Sequence, residues 1–314
     1  MKFNNEIPMK KLTLIFTVLA FVLGITIISC TKQATTTTDP AITTATDAIV
    51  LDNTASDLTG ILDDYTAANP TIFVDPTLKA GSADPLPPVA LAVDKCATVT
   101  YVKTPAITAN VVTGATISFT IDFGTTGCVG ADGKARRGKI VSTYTWVKLG
   151  GWTRTSTVDM YQSDVHYVGY LTSTYGVTGA NNHAYLTEAA ALQVTEKDGT
   201  TKTWNSNRQR ELVEGNSPTA LVKIWKITGS SGFTNKAGEK STYTITNPLY
   251  RSTACKSGFV AGTVVTVSTA GVTTTIEYGT FTTYAAITCK DGFTITKPGA
   301  AGAPSVSTFI KFGK

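Results

Sequence analysis

A period-two alternation that begins near Cys96 and persists to the C-terminus constrains this chain more than any other feature. In ISFTIDFG, residues 117 to 124, Ile117, Phe119, Ile121 and Phe123 fall on one side of an extended backbone, and Ser118, Thr120 and Asp122 on the other. One face is core and the other is wet, the pattern of a half-buried strand. KIVSTYTW and WTRTSTVDM repeat it around a turn at Lys148 to Gly151. They place Ile140, Tyr144 and Trp146 on one face and Trp152, Val158 and Met160 on another, so that pairing of the two strands joins both faces to one core. GTVVTVSTAGVTTTIEYG reads as a hairpin about Ala270 and Gly271. Further turn signals stand at Asp132-Gly133, Asp198-Gly199, Ala237-Gly238 and Asp291-Gly292. LTEAAALQV, residues 186 to 194, has helical propensity, but strand-like neighbours on both sides assign it to a strand. With no long helical pattern between the turns, residues 96–314 are expected to form an all-β domain: a large antiparallel meander, as a curved sheet, sandwich or open barrel.

Upstream the composition changes. Lys10 and Lys11 precede an apolar run, Leu12 to Ile28, that ends in Ile27-Ile28-Ser29-Cys30. A charged start, an apolar stretch and a small residue before cysteine have the layout of a secretion signal. The last four residues resemble the lipobox at which bacterial lipoproteins are cleaved and acylated. The run is at the short limit for a membrane span. Residues 1–29 are therefore expected to be a lipoprotein signal peptide, with Cys30 the lipidated residue. Residues 30–46, half threonine after Cys30, read as a flexible tether. Residues 47–95 read as a helix followed by a linker. Ile49, Val50, Leu58, Ile61, Leu62 and Tyr65 approximate a helical stripe that Asp47 caps, and Pro70, Pro76, Pro85, Pro87 and Pro88 mark the linker.

Once Cys30 is assigned to lipid, four cysteines remain. Cys96 to Cys128 spans 32 residues and Cys255 to Cys289 spans 34, so local pairing closes two similar loops in an exported, oxidising setting. No two of them form a CxxC zinc signature. Removing residues 1–29 takes away three lysines and one glutamate, which lowers the formal charge from +5 to +3. The basic residues are scattered, which gives no nucleic-acid footprint. No phosphate loop, dinucleotide turn or calcium loop is present, so no cofactor is expected. With two histidines, His166 and His183, the best catalytic-looking pair is Asp164 with His166, two residues apart on one strand face. Trp204, Arg208 and Arg210 also share a strand face and are the candidate ligand contacts, since indole stacks on sugars and guanidinium forks onto carboxylates. The plainer reading is a solvated face with the arginines paired to neighbours such as Glu211.

TIDFG recurs as TIEYG at residues 275 to 279, and each is followed by a cysteine and an Asp-Gly: Cys128 with Asp132-Gly133, and Cys289 with Asp291-Gly292. The carboxylates Asp122 and Glu277 fall opposite the apolar positions, so the repeat reads as doubled scaffold rather than as a doubled acidic site. The first copy, together with DGTTKTWNSNRQRELVEG and NPLYRSTACKSGFVAGTVVTV, resembles a group of outer-membrane lipoproteins of Bacteroidota that has no established activity. The matching positions are Ile121 to Gly124, Cys128, Asp132, Gly133, Arg136, Gly138, Lys139, Asp198, Gly199, Trp204 and Cys255. Near Cys289 the chain departs from the group, with YGTFTTYAAITCKDG in place of a compact Gly-x-Gly-x-Cys-Asp.

These observations lead to the expectation of a lipid-anchored cell-envelope protein, attached to the outer membrane through Cys30 and acting as a structural or binding module. Thr31-Lys32-Gln33-Ala34 carries no acidic residue, which favours a periplasm-facing orientation over the cell surface. The alternative is a carrier or receptor that binds a lipid or glycan on one curved face of the sheet, and it calls for an apolar concavity that the helix leaves open. A hydrolase with dispersed carboxylates is the third reading, and an envelope protein partner is compatible with the first.

Overall fold

A computed structural model describes residues 39–68, 96–109, 111–130, 133–147, 151–178, 183–215, 222–255, 259–283, 288–299 and 303–311. The signal segment, Cys30, the start of the threonine-rich tether and the Pro-rich passage lie outside these residues. One helix, α1 (Pro40–Ala68), precedes β1 (Thr98–Thr108), β2 (Val111–Asp122), the short β3 (Cys128–Val129) and β4 (Ala135–Val147). There follow β5 (Gly151–Gln162), β6 (Val165–Thr178), β7 (His183–Thr195), β8 (Thr201–Glu214) and β9 (Ile224–Thr234). The chain continues through β10 (Lys240–Ser252), β11 (Ala261–Ser268), β12 (Thr273–Gly279), β13 (Gly292–Lys297) and β14 (Val306–Lys311). All 14 strands belong to one curved, unclosed antiparallel sheet in which sequence neighbours are spatial neighbours; β3 alone stands off the path, paired with β4. The expected meander is therefore the curved-sheet variant, and LTEAAALQV is indeed strand, within β7.

Alternation decides which face is core. Ile117, Phe119, Ile121 and Phe123 are buried, as are Ile140, Tyr144, Val158 and Met160, while Trp146 and Trp152 pack half-buried against the same cluster. Across the strands these inward positions align into rows. One row runs Ile117, Tyr144, Arg154, Ser173, Glu188, Arg208. The next runs Phe119, Ser142, Ser156, Leu171, Ala190, Ser206, Ser231, Tyr243, and most of its middle members are small. Small side chains there leave room for a helix to lie close to the sheet.

That helix is α1. It begins at Pro40, so that residues 40–46, the last seven of what the composition assigns to the tether, are helical, and Asp39-Pro40 explains the start: aspartate favours the N-cap and proline the first helical position. Its threonines do not break it, because the hydroxyls of Thr46, Thr54, Thr59 and Thr66 each donate to the carbonyl four residues back. Asp47 lies inside the helix and does not cap it. Burial extends around most of the circumference, with Ala45, Ala48, Leu51, Leu58, Leu62 and Tyr65 all in the core. Helices buried in this way are components of a core rather than of a surface. Val50, expected in the stripe, is exposed instead.

Two disulfides join Cys96 to Cys128 and Cys255 to Cys289. Each links the residue ahead of a hairpin to the segment just after it: β1–β2 in the first case, β11–β12 in the second. Gly133, Gly199, Gly238 and Gly271 occupy turns with positive φ, as the turn signals predict. Asp291-Gly292 is the exception. Gly292 opens β13, where a Cβ would lie 2.1 Å from the Ile310 carbonyl oxygen, so this glycine serves strand approach rather than a turn.

Candidate functional site

Trp204, Arg208 and Arg210 share one face of β8, as the alternation requires, but that face is turned to the core and covered by α1. Their exposures are 0%, 7% and 8%, so the solvated-face reading is corrected. Lys202 lies on the same row, also buried. The charges are met by aspartates of α1. Lys202 Nζ donates to Asp47 Oδ1 at 3.0 Å and to Glu196 Oε1 at 2.8 Å. Arg208 donates to Asp52, whose other oxygen accepts from the Tyr243 hydroxyl at 2.6 Å. Arg210 donates to Asp63, which also accepts from Arg154 at 3.0 Å. Asp57 is shared by Arg251, at 3.0 Å, and Lys134. Glu211, offered as an arginine partner by the plain reading, instead lies 3.5 Å from Lys226.

The repeats of the two elements explain why this fits. From Asp47 to Asp63 a helix rises about 24 Å at about 1.5 Å per residue. From Lys202 to Arg210 a strand advances about 26 Å at about 3.3 Å per residue. The two spans are thus similar in length, with Asp47 paired to Lys202 at one end and Asp63 to Arg210 at the other. Arg208 lies over the rings of Trp204 and Tyr243 at 5.2 and 5.3 Å, and Arg210 over Trp225 at 4.4 Å.

Electrostatics differ from one carboxylate to the next. Burial pushes Asp63 up, but Arg210 and Arg154 together outweigh it and hold its carboxyl below the ordinary range. Burial dominates at Glu188 and raises it despite Arg210 nearby. Glu188 Oε1 lies 3.1 Å from Arg210 Nη2, close enough for an ion pair, yet no N–H is aimed at it. Asp64 is raised as well, by burial and by the charge of Asp63. A cavity of about 30 Å³ borders Glu188, Arg208, Arg210, Ser206 and Thr59. Glu188 Oε1 and the Nε atoms of Arg208 and Arg210 lack hydrogen-bond partners, so this polar space is suited to one or two waters. A second cavity, about 80 Å³, lies where α1 starts, beside Thr44, Ser241, Thr266 and Thr274. Pockets that hold drug-sized ligands are roughly 300–1,000 Å³.

The remaining candidates are separated by the fold. Asp164 sits in the β5–β6 turn and is bound by Lys197 at 2.7 Å, whereas His166 meets Asp159 Oδ1 at 2.8 Å and stacks on Tyr161. The two do not form a dyad. His183 opens β7. Asp122 lies on the outer face, where one of its oxygens accepts from the Gly124 amide, and Glu277 is exposed on the outer face too, as doubled scaffold requires. Among the described residues no group of three His, Cys, Asp or Glu side chains is placed to hold a metal ion. The residues that the sequence left unassigned include Asp52, Asp57, Asp63, Arg154, Lys202 and Tyr243. Their one signal was basic residues at inward positions of strongly alternating strands. No family model, curated protein or solved structure matches the chain.

Proposed function

We propose that the protein is a lipid-anchored module of the cell envelope, attached through Cys30 to the outer membrane on its periplasmic side, and that it works by presenting outer surfaces rather than by carrying a ligand inside the sheet. The observation that carries this reading is the occupation of the inner face by α1. The carrier alternative calls for an open apolar concavity, and the two cavities beside α1, about 30 and 80 Å³, are of a size suited to a few waters. Displacing the helix to make room would expose at least Ile49, Leu51, Leu58, Ile61, Leu62 and Tyr65. At about 1.5–3 kcal/mol for each large apolar side chain, that cost is about 9–18 kcal/mol, comparable to the whole stability of an ordinary domain. The chain order adds a mechanical role. Nine residues separate Cys30 from Pro40, and the ten steps between them reach at most about 36 Å when fully extended, so a load on the anchor is passed to α1 and its ion pairs.

Two measurements on the full-length chain test the reading. Metabolic labelling with an alkyne fatty acid should mark the wild type and not Cys30→Ser, and the variant should leave the membrane fraction for the soluble periplasm. Native mass spectrometry of the wild type should show the acylated chain without a bound lipid or glycan. Retention of Cys30→Ser in membranes would remove the anchor, and a stoichiometric ligand adduct would restore the carrier reading.

A further inference from the structure

An unclosed sheet has two free edges, and here they differ. Among the described residues β1 pairs only with β2, and β14 only with β13. The β1 edge carries three features that discourage pairing with another chain: Pro105, which lacks an N–H; the inward-pointing, buried Lys103; and a register irregularity at Ala106/Ile107. β14 has neither proline nor irregularity, its pairing to β13 is unbroken from Val306 to Lys311, and its protections are that it is short and that it ends in Lys311. Its residues Val306 and Phe309 are 53% and 52% exposed. Phe309 is on the outer face, opposite Thr294, with its ring over Gly292, whereas Ile310 points inward and packs on the core.

We infer that two copies of this chain pair edge to edge through β14, antiparallel about a two-fold axis at Phe309. For the sheet to continue across the junction, outward residues must meet outward residues, which fixes the register to same-parity partners. Centring on Phe309 sets it against the partner subunit's Phe309, Thr308 against the partner subunit's Ile310, and Ser307 against the partner subunit's Lys311. The strand's single charge then faces a serine rather than itself, and its exposed ring meets an identical ring. Protection of β1 blocks the head-to-tail contact, β14 on β1, that would propagate as an open filament, so the isologous pair is the closed arrangement that remains. This inference rests on strand register and does not depend on the membrane anchor.

Cysteine scanning of the full-length protein tests it. Directly opposed Cβ atoms in an antiparallel pair are about 4.5–5.5 Å apart, near disulfide range. Phe309→Cys alone is expected to give a disulfide-linked species of twice the mass on non-reducing gels. Ser307→Cys alone and Lys311→Cys alone should not, and the double variant Ser307→Cys/Lys311→Cys should. Light scattering on the unmodified chain should give a dimer that Thr308→Pro converts to monomer. Protease resistance matched to wild type verifies that each variant is folded. A monomeric wild type, cross-linking by Ser307→Cys equal to that by Phe309→Cys, or capture of a different protein at residue 309 would each overturn self-pairing.

Discussion

Asp52 shows what the buried charges of this protein contribute. Its carboxylate is 0% exposed and holds Arg208 and Tyr243 at once, while Arg208 also donates to Ser231 at 3.1 Å. Removing one partner of such a pair strands the other, at a cost of about 3–5 kcal/mol, whereas replacing both by apolar groups is often neutral. Asp52→Ala is therefore expected to lower the denaturation midpoint steeply, and Asp52→Ala/Arg208→Met to recover much of the loss. A double-mutant cycle by urea unfolding measures the coupling. That Arg208 and Arg210 share a face with Trp204 was legible from alternation alone. Which way the face points was not, because arginine on a strand ordinarily marks the solvent side, and the carboxylates that neutralise it lie about 150 residues upstream. Asp47, Asp52, Asp57 and Asp63 form no stripe on α1, which is why they gave no warning in the sequence.

Among the elements, the strands were the most readable, since one buried face imposes period two wherever the sheet passes. The helix was read seven residues short. Composition hid it: a threonine-rich run looks unstructured until the hydroxyls are seen to satisfy themselves within the helix, and Asp39-Pro40 was the local signal of its start. The two stapled hairpins are equivalent in topology, each with a cysteine, a hairpin, a cysteine and then the next strand. This accounts for the recurrence of TIDFG as TIEYG without any acidic chemistry. Loops of 32 and 34 residues are each stabilised by about 3–4 kcal/mol on the chain-entropy estimate. Cys96→Ala/Cys128→Ala and Cys255→Ala/Cys289→Ala should therefore destabilise by similar amounts. Because the pairs share no residues, the quadruple variant should lose close to the sum, as read from denaturant midpoints.

At the scale of the molecule, an open sheet of this size cannot close on its own core, and α1 supplies the missing apolar layer. The same arrangement fills the inner face with α1, and on the proposed reading function falls to the anchor, the outer surface and the β14 edge. Sequence reasoning could list curved sheet, sandwich and barrel but not choose among them, because all three share the alternation and differ only in how strands meet across long separations. α1 is a permanent part of the core. Hydrogen–deuterium exchange of the native full-length protein tests that directly: amides in Ala48–Leu62 should exchange as slowly as those in β8, through global opening only. Exchange of α1 orders of magnitude faster than β8, with the sheet still protected, would show a helix that leaves its groove and would contradict the account.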